Sequence, residues 1–276
     1  MRITVGIATA ISLAAGAALA QDNNALSIEG EAMVTEVAAP AHMENVDTIY
    51  SGWRFRSSET QALETDDFDN PAMVFVDQGI DLWDKVEGTE NMACSSCHED
   101  VAEFAGLRAA MPRVENGELV AMEDLVNECR TERMGADAWK WSGGQMTAMT
   151  ALIGLQSRGM AVNVAIDGDA APFWEQGKEL YYTKVGQLQM ACSNCHEDNY
   201  GVMIRADHLS QGQINGFPTY RLKNAKLNSA HGRFKGCMKN IRATPYKEGG
   251  PEFKALELYL ASRGQGLSVE TPSVRN

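Results

Sequence analysis

Apolar positions fall into three kinds of pattern along this chain of 276 residues. The first is a run. Ile3 to Leu19 is apolar and small, with Arg2 ahead of it and Ala18-Leu19-Ala20 closing it. A short basic start, an apolar stretch and an A-x-A site predict a secretory leader over residues 1–20, cleaved before Gln21, rather than a membrane anchor. No later stretch stays apolar long enough to cross a bilayer, so no membrane span is expected. The second pattern is helical spacing. Phe173, Trp174, Leu180 and Tyr181 predict one helix between Phe173 and Val185, and Phe253, Leu256, Leu258, Tyr259 and Leu260 predict another between Phe253 and Ala261. The third is weak periodicity, over 21–75. An N-terminal extension is expected there, loosely ordered at its start and wrapping the first of two domains from Ser51 onward.

The chain repeats itself. Superposing Cys94-Ser95-Ser96-Cys97-His98 on Cys192-Ser193-Asn194-Cys195-His196 makes other residues coincide. Gln78-Gly79 meets Gln176-Gly177, Leu82-Trp83 meets Leu180-Tyr181, Met92-Ala93 meets Met190-Ala191, and Glu99-Asp100 meets Glu197-Asp198. Each half closes on a similar phrase, Leu155-Gln156-Ser157-Arg158-Gly159 and Leu260-Ala261-Ser262-Arg263-Gly264. Two copies of one domain are the economical reading, over 76–160 and 173–264. A connector over 161–172 ends in turn residues, and a tail covers 265–276.

The two superposed motifs are CxxCH, the attachment signature of c-type haem. Two thiols add across the vinyl groups while the adjoining histidine reaches the iron. A zinc site would bring its cysteine pairs much closer together, and a redox dithiol has no need of the histidine. The expected fold is therefore mainly α: two tandem class I cytochrome c-like helical haem domains related by duplication. Cys94, Cys97, Cys192 and Cys195 bind two covalently attached haem c groups, with His98 and His196 as iron ligands. A domain of this size gains apolar core area from the macrocycle itself. Haem is attached to CxxCH outside the cytoplasmic membrane, so motif and leader agree on the periplasm.

Acidic residues outnumber basic ones, 37 to 24, which argues against nucleic acid as a partner. The charge is unevenly spread. Gln21 to Phe75 holds eleven acids and two bases, whereas Gly201 to Lys247 holds nine bases and one acid. A basic segment in an acidic protein points to an anion site, or to a face for an acidic partner or a haem propionate.

Thioethers account for four of the six cysteines and leave Cys129 and Cys237. A secreted chain could join them as a disulfide. Against that, each half owns one of them, at a similar distance after its CxxCH, which suits a separate task in each half. The task expected is a sixth ligand to iron. Methionine is the ordinary choice for that position, and Met146, Met149, Met203 and Met238 are available, most of them as core filler. Arg233, Lys235, Lys239 and Arg242 flank Cys237 within ten residues. Four cations there would keep the thiol ionised and draw an oxyanion, with the planar guanidinium forks as direct contacts and the lysines as a steering field. Cys129 lies among Glu128, Arg130, Glu132 and Arg133, where acids offset bases, so an electron relay is expected. His42, His208 and His231 are read as surface or packing residues.

The paired CxxCH motifs with one extra cysteine each, Ser51-Gly52-Trp53 followed by Asp66-Asp67-Phe68-Asp69-Asn70-Pro71, and Gly236-Cys237-Met238 through Arg242-Ala243-Thr244-Pro245-Tyr246 resemble SoxA. SoxA is the dihaem subunit of the SoxAX cytochromes of thiosulfate-oxidising bacteria, and the likeness covers nearly the whole chain beyond the leader. It implies a heterodimer with SoxX, a smaller monohaem cytochrome. It also implies oxidative coupling of thiosulfate to a cysteine of the SoxYZ carrier, with two electrons passing to a small acceptor cytochrome. On that likeness Cys129 serves haem 1, Cys237 serves haem 2 and is also the catalytic thiolate, often a persulfide, and Arg233 binds substrate. The alternative is a periplasmic dihaem electron-transfer cytochrome without covalent catalysis. It explains the haems and the repeat but leaves four cations around one thiol without a purpose. A dihaem peroxidase would need an open iron position, which a cysteine ligand in each half argues against.

Overall fold

The structure is a computed structural model that describes residues 25–205 and 207–276, so the leader expected over 1–20 lies outside the described residues. Its helices, in chain order, are α1 (Ser58–Ala62), α2 (Met73–Trp83), α3 (Met122–Glu128), α4 (Gly144–Leu155), α5 (Ala171–Tyr182), α6 (Cys192–His196), α7 (Ala230–Asn240) and α8 (Pro251–Arg263). The strands are short and form hairpins and one three-stranded sheet. None of the described helices is long and apolar enough to cross a membrane.

Two helix pairs organise this mainly helical molecule: α2 lies against α4, and α5 against α8. Both crossings are made at glycine. A Cβ on Gly79 would stand 2.7 Å from the Ala148 carbonyl oxygen, and one on Gly177 would overlap the Ala255 carbonyl oxygen and stand 2.8 Å from Tyr259 Cβ. Backbone meets backbone at these points, so any side chain would separate the helices. They are the glycines of the repeated Gln-Gly phrase. The aromatic spacing of the second half also has its physical reason here, since Trp174 and Tyr181 of α5 bury against Phe253 and Tyr259 of α8. α4 shows no such spacing because it is buried on every side from Met146 to Gly154, with Met146 and Met149 filling the core.

The extension is more ordered than its weak periodicity suggests. Leu26–Ile28 pairs with Glu31–Met33 and Glu36–Ala38 with Thr48–Tyr50, and Leu26, Ile28, Met33 and Trp53 bury one another. Its polar ties run chiefly to the second half and the C-terminal segment, not around the first domain as expected. The Gln211 side chain accepts from Tyr50 N–H, Arg56 pairs with Asp207, and Asn70 Nδ2 donates to Pro272 O, whereas Asp67 reaches back to Arg158. Unpaired strand ends and buried amides decide this, and they are not visible in hydropathy.

The C-terminal residues are core. Leu267, Val269 and Val274 are fully buried, and Ser273–Arg275 runs parallel to Thr219–Arg221, which in turn pairs with Lys226–Asn228. The connector is clamped to the same segment, with Val162 N–H donating to Leu267 O.

Buried charges tie the last two helices to the rest. Arg263 of α8 is fully buried, lies 4.4 Å over the Tyr181 ring and pairs with Glu197, the residue after His196. His42 packs edge-on against Trp174, and the backbone carbonyl of His208 accepts from Arg56. His231 of α7 is fully buried, stacked 4.9 Å from Trp141, with Nε2 3.0 Å from Glu257 Oε2 of α8. Burial opposes charge on both partners, yet their mutual attraction holds His231 above its usual value and Glu257 below. Burial, and then the Glu257 carboxylate, push Glu123 of α3 up to about 7. Between the ordinary value of 4.5 and about 7, the folded protein keeps a Glu123 proton that the unfolded chain has lost. Stability from this group therefore falls as pH rises through that window. Glu123→Gln should remove the dependence: melting temperatures read across it should gain, relative to the parent, as pH rises. Parallel curves would mean that Glu123 ionises at its ordinary value.

Candidate functional site

In each half the CxxCH motif folds into a tight turn that turns both cysteines and the histidine to one side. Cys94–Ser96 is a 3-10 turn and Cys192–His196 is α6. Both turns are closed the same way: Ser96 Oγ accepts from Ala93 N–H and Asn194 Oδ1 accepts from Ala191 N–H, each at 2.9 Å. The loop ahead of each motif is hydrogen-bonded to the chain just beyond the extra cysteine. Thr89 N–H donates to Gly135 O in the first half, and Leu188 N–H to Ile241 O in the second. Each CxxCH is thus held beside its own half's spare cysteine.

All six cysteines are free, so Cys129 and Cys237 are not joined. Cys129 opens a π-helical turn, Cys129–Arg133, that continues α3; such turns recur at functional sites. Its thiol is pushed up, by burial and then by Cys97. Burial is also the main cause that raises Cys94 to about 11, Cys192 to about 12, and Cys195. Cys237 goes the other way. Burial works to raise it, but Arg233, the His196 imidazole and Arg221 outweigh burial and bring it to about 7. Arg233 stands one helical turn before Cys237 on α7, so the two share a face.

The histidines are prepared differently. His196 Nδ1 donates to the Ser210 carbonyl at 2.7 Å, which fixes the tautomer and leaves Nε2, on the side of the Cys237 thiol, able to bind a metal. Gly212 lets the loop close over that ring, since a Cβ there would stand 3.0 Å from His196 Cγ. His98 lies among Trp83 and Phe104, with ring centroids at 6.0 and 4.8 Å, and its Nδ1 is 3.4 Å from Glu103 Oε2. Among the described residues no group of three or more His, Cys, Asp or Glu could hold a bare metal ion. A pair of thioether cysteines with one nitrogen and one sulfur donor fits a macrocycle that brings four ligands of its own.

The basic residues separate once they are placed. Lys235 is tied to Glu248 at 3.2 Å, and Lys239 and Arg242 are exposed, with Arg242 beyond the end of α7. Of the four cations around Cys237 in sequence, Arg233 is the one that acts most strongly on the thiol. Arg221, from the strand Thr219–Arg221, was missed; the only trace of it in the sequence is its membership of the basic segment, sixteen residues from Cys237.

The family described as "SoxA/TsdA, cytochrome c domain" matches residues 78–162. The chain is 58% identical to the L-cysteine S-thiosulfotransferase subunit SoxA of Paracoccus pantotrophus, over 98% of this chain and 96% of that one. This chain belongs to the SoxA family. Its SoxA relative from Rhodovulum sulfidophilum is 53% identical over the full length of both chains. A chain of the crystal structure of SoxXA from P. pantotrophus superposes with a TM-score of 0.89 at 57% identity, covering 93% of this chain and 99% of that one. SoxA membership brings the cytochrome c fold and haem c with it, and makes the chain a subunit of the sulfur-transferase type.

Proposed function

We propose that this chain is the catalytic dihaem subunit of a periplasmic thiosulfate-oxidising complex, built from two duplicated cytochrome domains. Cys94 and Cys97 would hold one haem, with His98 and Cys129 as donors to its iron; Cys192 and Cys195 would hold the other, with His196 and Cys237. Its partners would be a SoxX-like monohaem cytochrome, as in the SoxXA structure it resembles, and a SoxYZ-like carrier presenting a cysteine. The observation that carries this reading is the placing of two arginines beside one cysteine, Arg233 one helical turn before Cys237 and Arg221 from a separate strand, neither of them held by an Asp or Glu side chain among the described residues and so able to hold an anion.

Covalent haem c, when bound, supplies a relay that takes electrons singly to an acceptor cytochrome. The chain's own residues do the rest. Arg233 draws the thiosulfate dianion and turns its outer sulfur toward Cys237. The Cys237 thiolate and that sulfur form an S–S bond as two electrons leave to the acceptor cytochrome, giving a cysteine S-thiosulfonate. The carrier thiol, losing its proton, attacks the same sulfur; the new S–S bond forms on the carrier and Cys237 departs as thiolate, ready for another cycle. A thiol near neutrality suits both halves, as attacking group first and leaving group second.

Peptide mass spectrometry tests this. After thiosulfate and an oxidised acceptor cytochrome, the Cys237 peptide should carry a reductant-labile sulfur or thiosulfate adduct that is lost on adding carrier. An unmodified thiol under turnover conditions would move the chemistry to the carrier's cysteine and leave this chain an electron carrier.

A further inference from the structure

Arg233 and Arg221 stand beside Cys237, and two further arginines from separate parts of the chain, Arg56 of the extension and Arg275, stand beside them. Parallel pairing sets Arg275 directly across from Arg221, and antiparallel pairing sets Lys226 on its other side. The strand Lys226–Asn228 leads into α7 through Ser229, whose hydroxyl accepts from Gly232 N–H, and Arg233 of that helix is close enough to Arg221 for the two charges to repel. Crowding like charges is costly, and carboxylates relieve part of it. Arg275 is held by Glu64 and by Glu270 at 2.8 Å, and Arg56 by Asp207. Among the described residues no Asp or Glu side chain pairs with Arg221 or Arg233. Arg221 spends only its Nε, on Asn276 O at 2.8 Å, which orients the guanidinium and leaves its two terminal nitrogens for a ligand. Both side chains are half-buried, within reach of solvent and partly removed from its screening.

We propose that Arg221 is a second substrate-holding arginine, its guanidinium and that of Arg233 together seating the tetrahedral sulfonate end of thiosulfate beside Cys237. This rests on the function proposed above. Two guanidinium groups with open N–H donors suit the three oxygens of a sulfonate, which one planar fork cannot span. Arg56 and Arg275, already paired with carboxylates, brace the strand and leave the anion to the other two.

The test uses the haem-loaded complex with its monohaem partner, comparing the parent with Arg221→Gln, Arg221→Lys and Arg233→Gln. Two readouts are taken: calorimetric binding of thiosulfate without carrier or acceptor, and steady-state kinetics with both. Arg221→Gln should weaken thiosulfate binding and raise KM by about tenfold or more, the scale of a lost charge-assisted hydrogen bond. kcat should change less than KM does, because Arg233 and His196 remain to favour the Cys237 thiolate. Arg221→Lys should fall between, because it keeps charge without the fork; if the Gln variant does not fold, the Lys variant decides. Unchanged binding and KM in the folded Arg221 variants, with both altered in Arg233→Gln, would overturn the proposal. A parent that neither binds nor turns over thiosulfate would instead overturn the function on which it rests.

Discussion

Cys237→Ala should lose thiosulfate-dependent electron release by at least about a thousandfold while both CxxCH motifs stay loaded, because removing a nucleophile abolishes the covalent route. The expectation follows from placement rather than from composition. Burial alone would make Cys237 as unreactive as Cys192, which is raised to about 12. What separates them is the Arg233 and Arg221 guanidinium groups and the His196 imidazole, which together favour the thiolate over the thiol. Cys129→Ala is the matched control. Its thiol is pushed up, not down, so turnover should survive far better there. Stopped-flow reduction of an acceptor cytochrome by thiosulfate and carrier measures both, and pyridine haemochrome content reports loading. A Cys237→Ala protein within about tenfold of the parent rate would remove Cys237 from the covalent step.

The second large effect is on folding. Gly177→Ala adds one methyl group where α5 crosses α8, and that methyl would overlap the Ala255 carbonyl oxygen. A flexible side chain can rotate away from such a contact; a helix backbone cannot. The helices must therefore part, against a core holding Tyr181, Phe253, Leu258 and Tyr259 at essentially no exposure. Overpacking typically costs about 1–3 kcal/mol, and a backbone clash belongs at or above the top of that range. A loss of about 3 kcal/mol lowers the melting temperature of a protein of this size by roughly 6–12 °C. Gly79→Ala should behave alike but more mildly, since its Cβ would meet Ala148 O at 2.7 Å. Thermal melts of the two variants check this, and an unchanged melting temperature for Gly177→Ala would mean that α5 and α8 do not touch at that point.

Those two glycines show how far the residue order reaches. Gln78-Gly79 and Gln176-Gly177 coincide in the repeat, so a shared structural demand was visible at both; that the demand is a helix crossing was not. The two CxxCH motifs and their leftover cysteines were equally legible, because residue type and spacing within a pentapeptide are local properties of the chain. Helices with one wet face, such as α5, announce themselves by period, whereas α4, dry on every side, does not.

The electrostatics of the thiol were the least legible part. Sequence proximity put four cations around Cys237, but a helix turns its residues through all directions and a neighbouring acid can claim any of them. Lys235 goes to Glu248, and Lys239 and Arg242 face water. Arg221 arrives from a strand, and Arg56 from the extension, because charge acts through space and not along the chain.

The residue order by itself therefore determined what is local: the helical cytochrome character, the two CxxCH motifs, the spare cysteines and the four cations that flank Cys237 in sequence. Tertiary structure alone decided what depends on distance between remote segments. It buried residues 265–276 as core, tied the extension to the second half, and chose which of the guanidinium groups would be neutralised and which left free beside the thiolate.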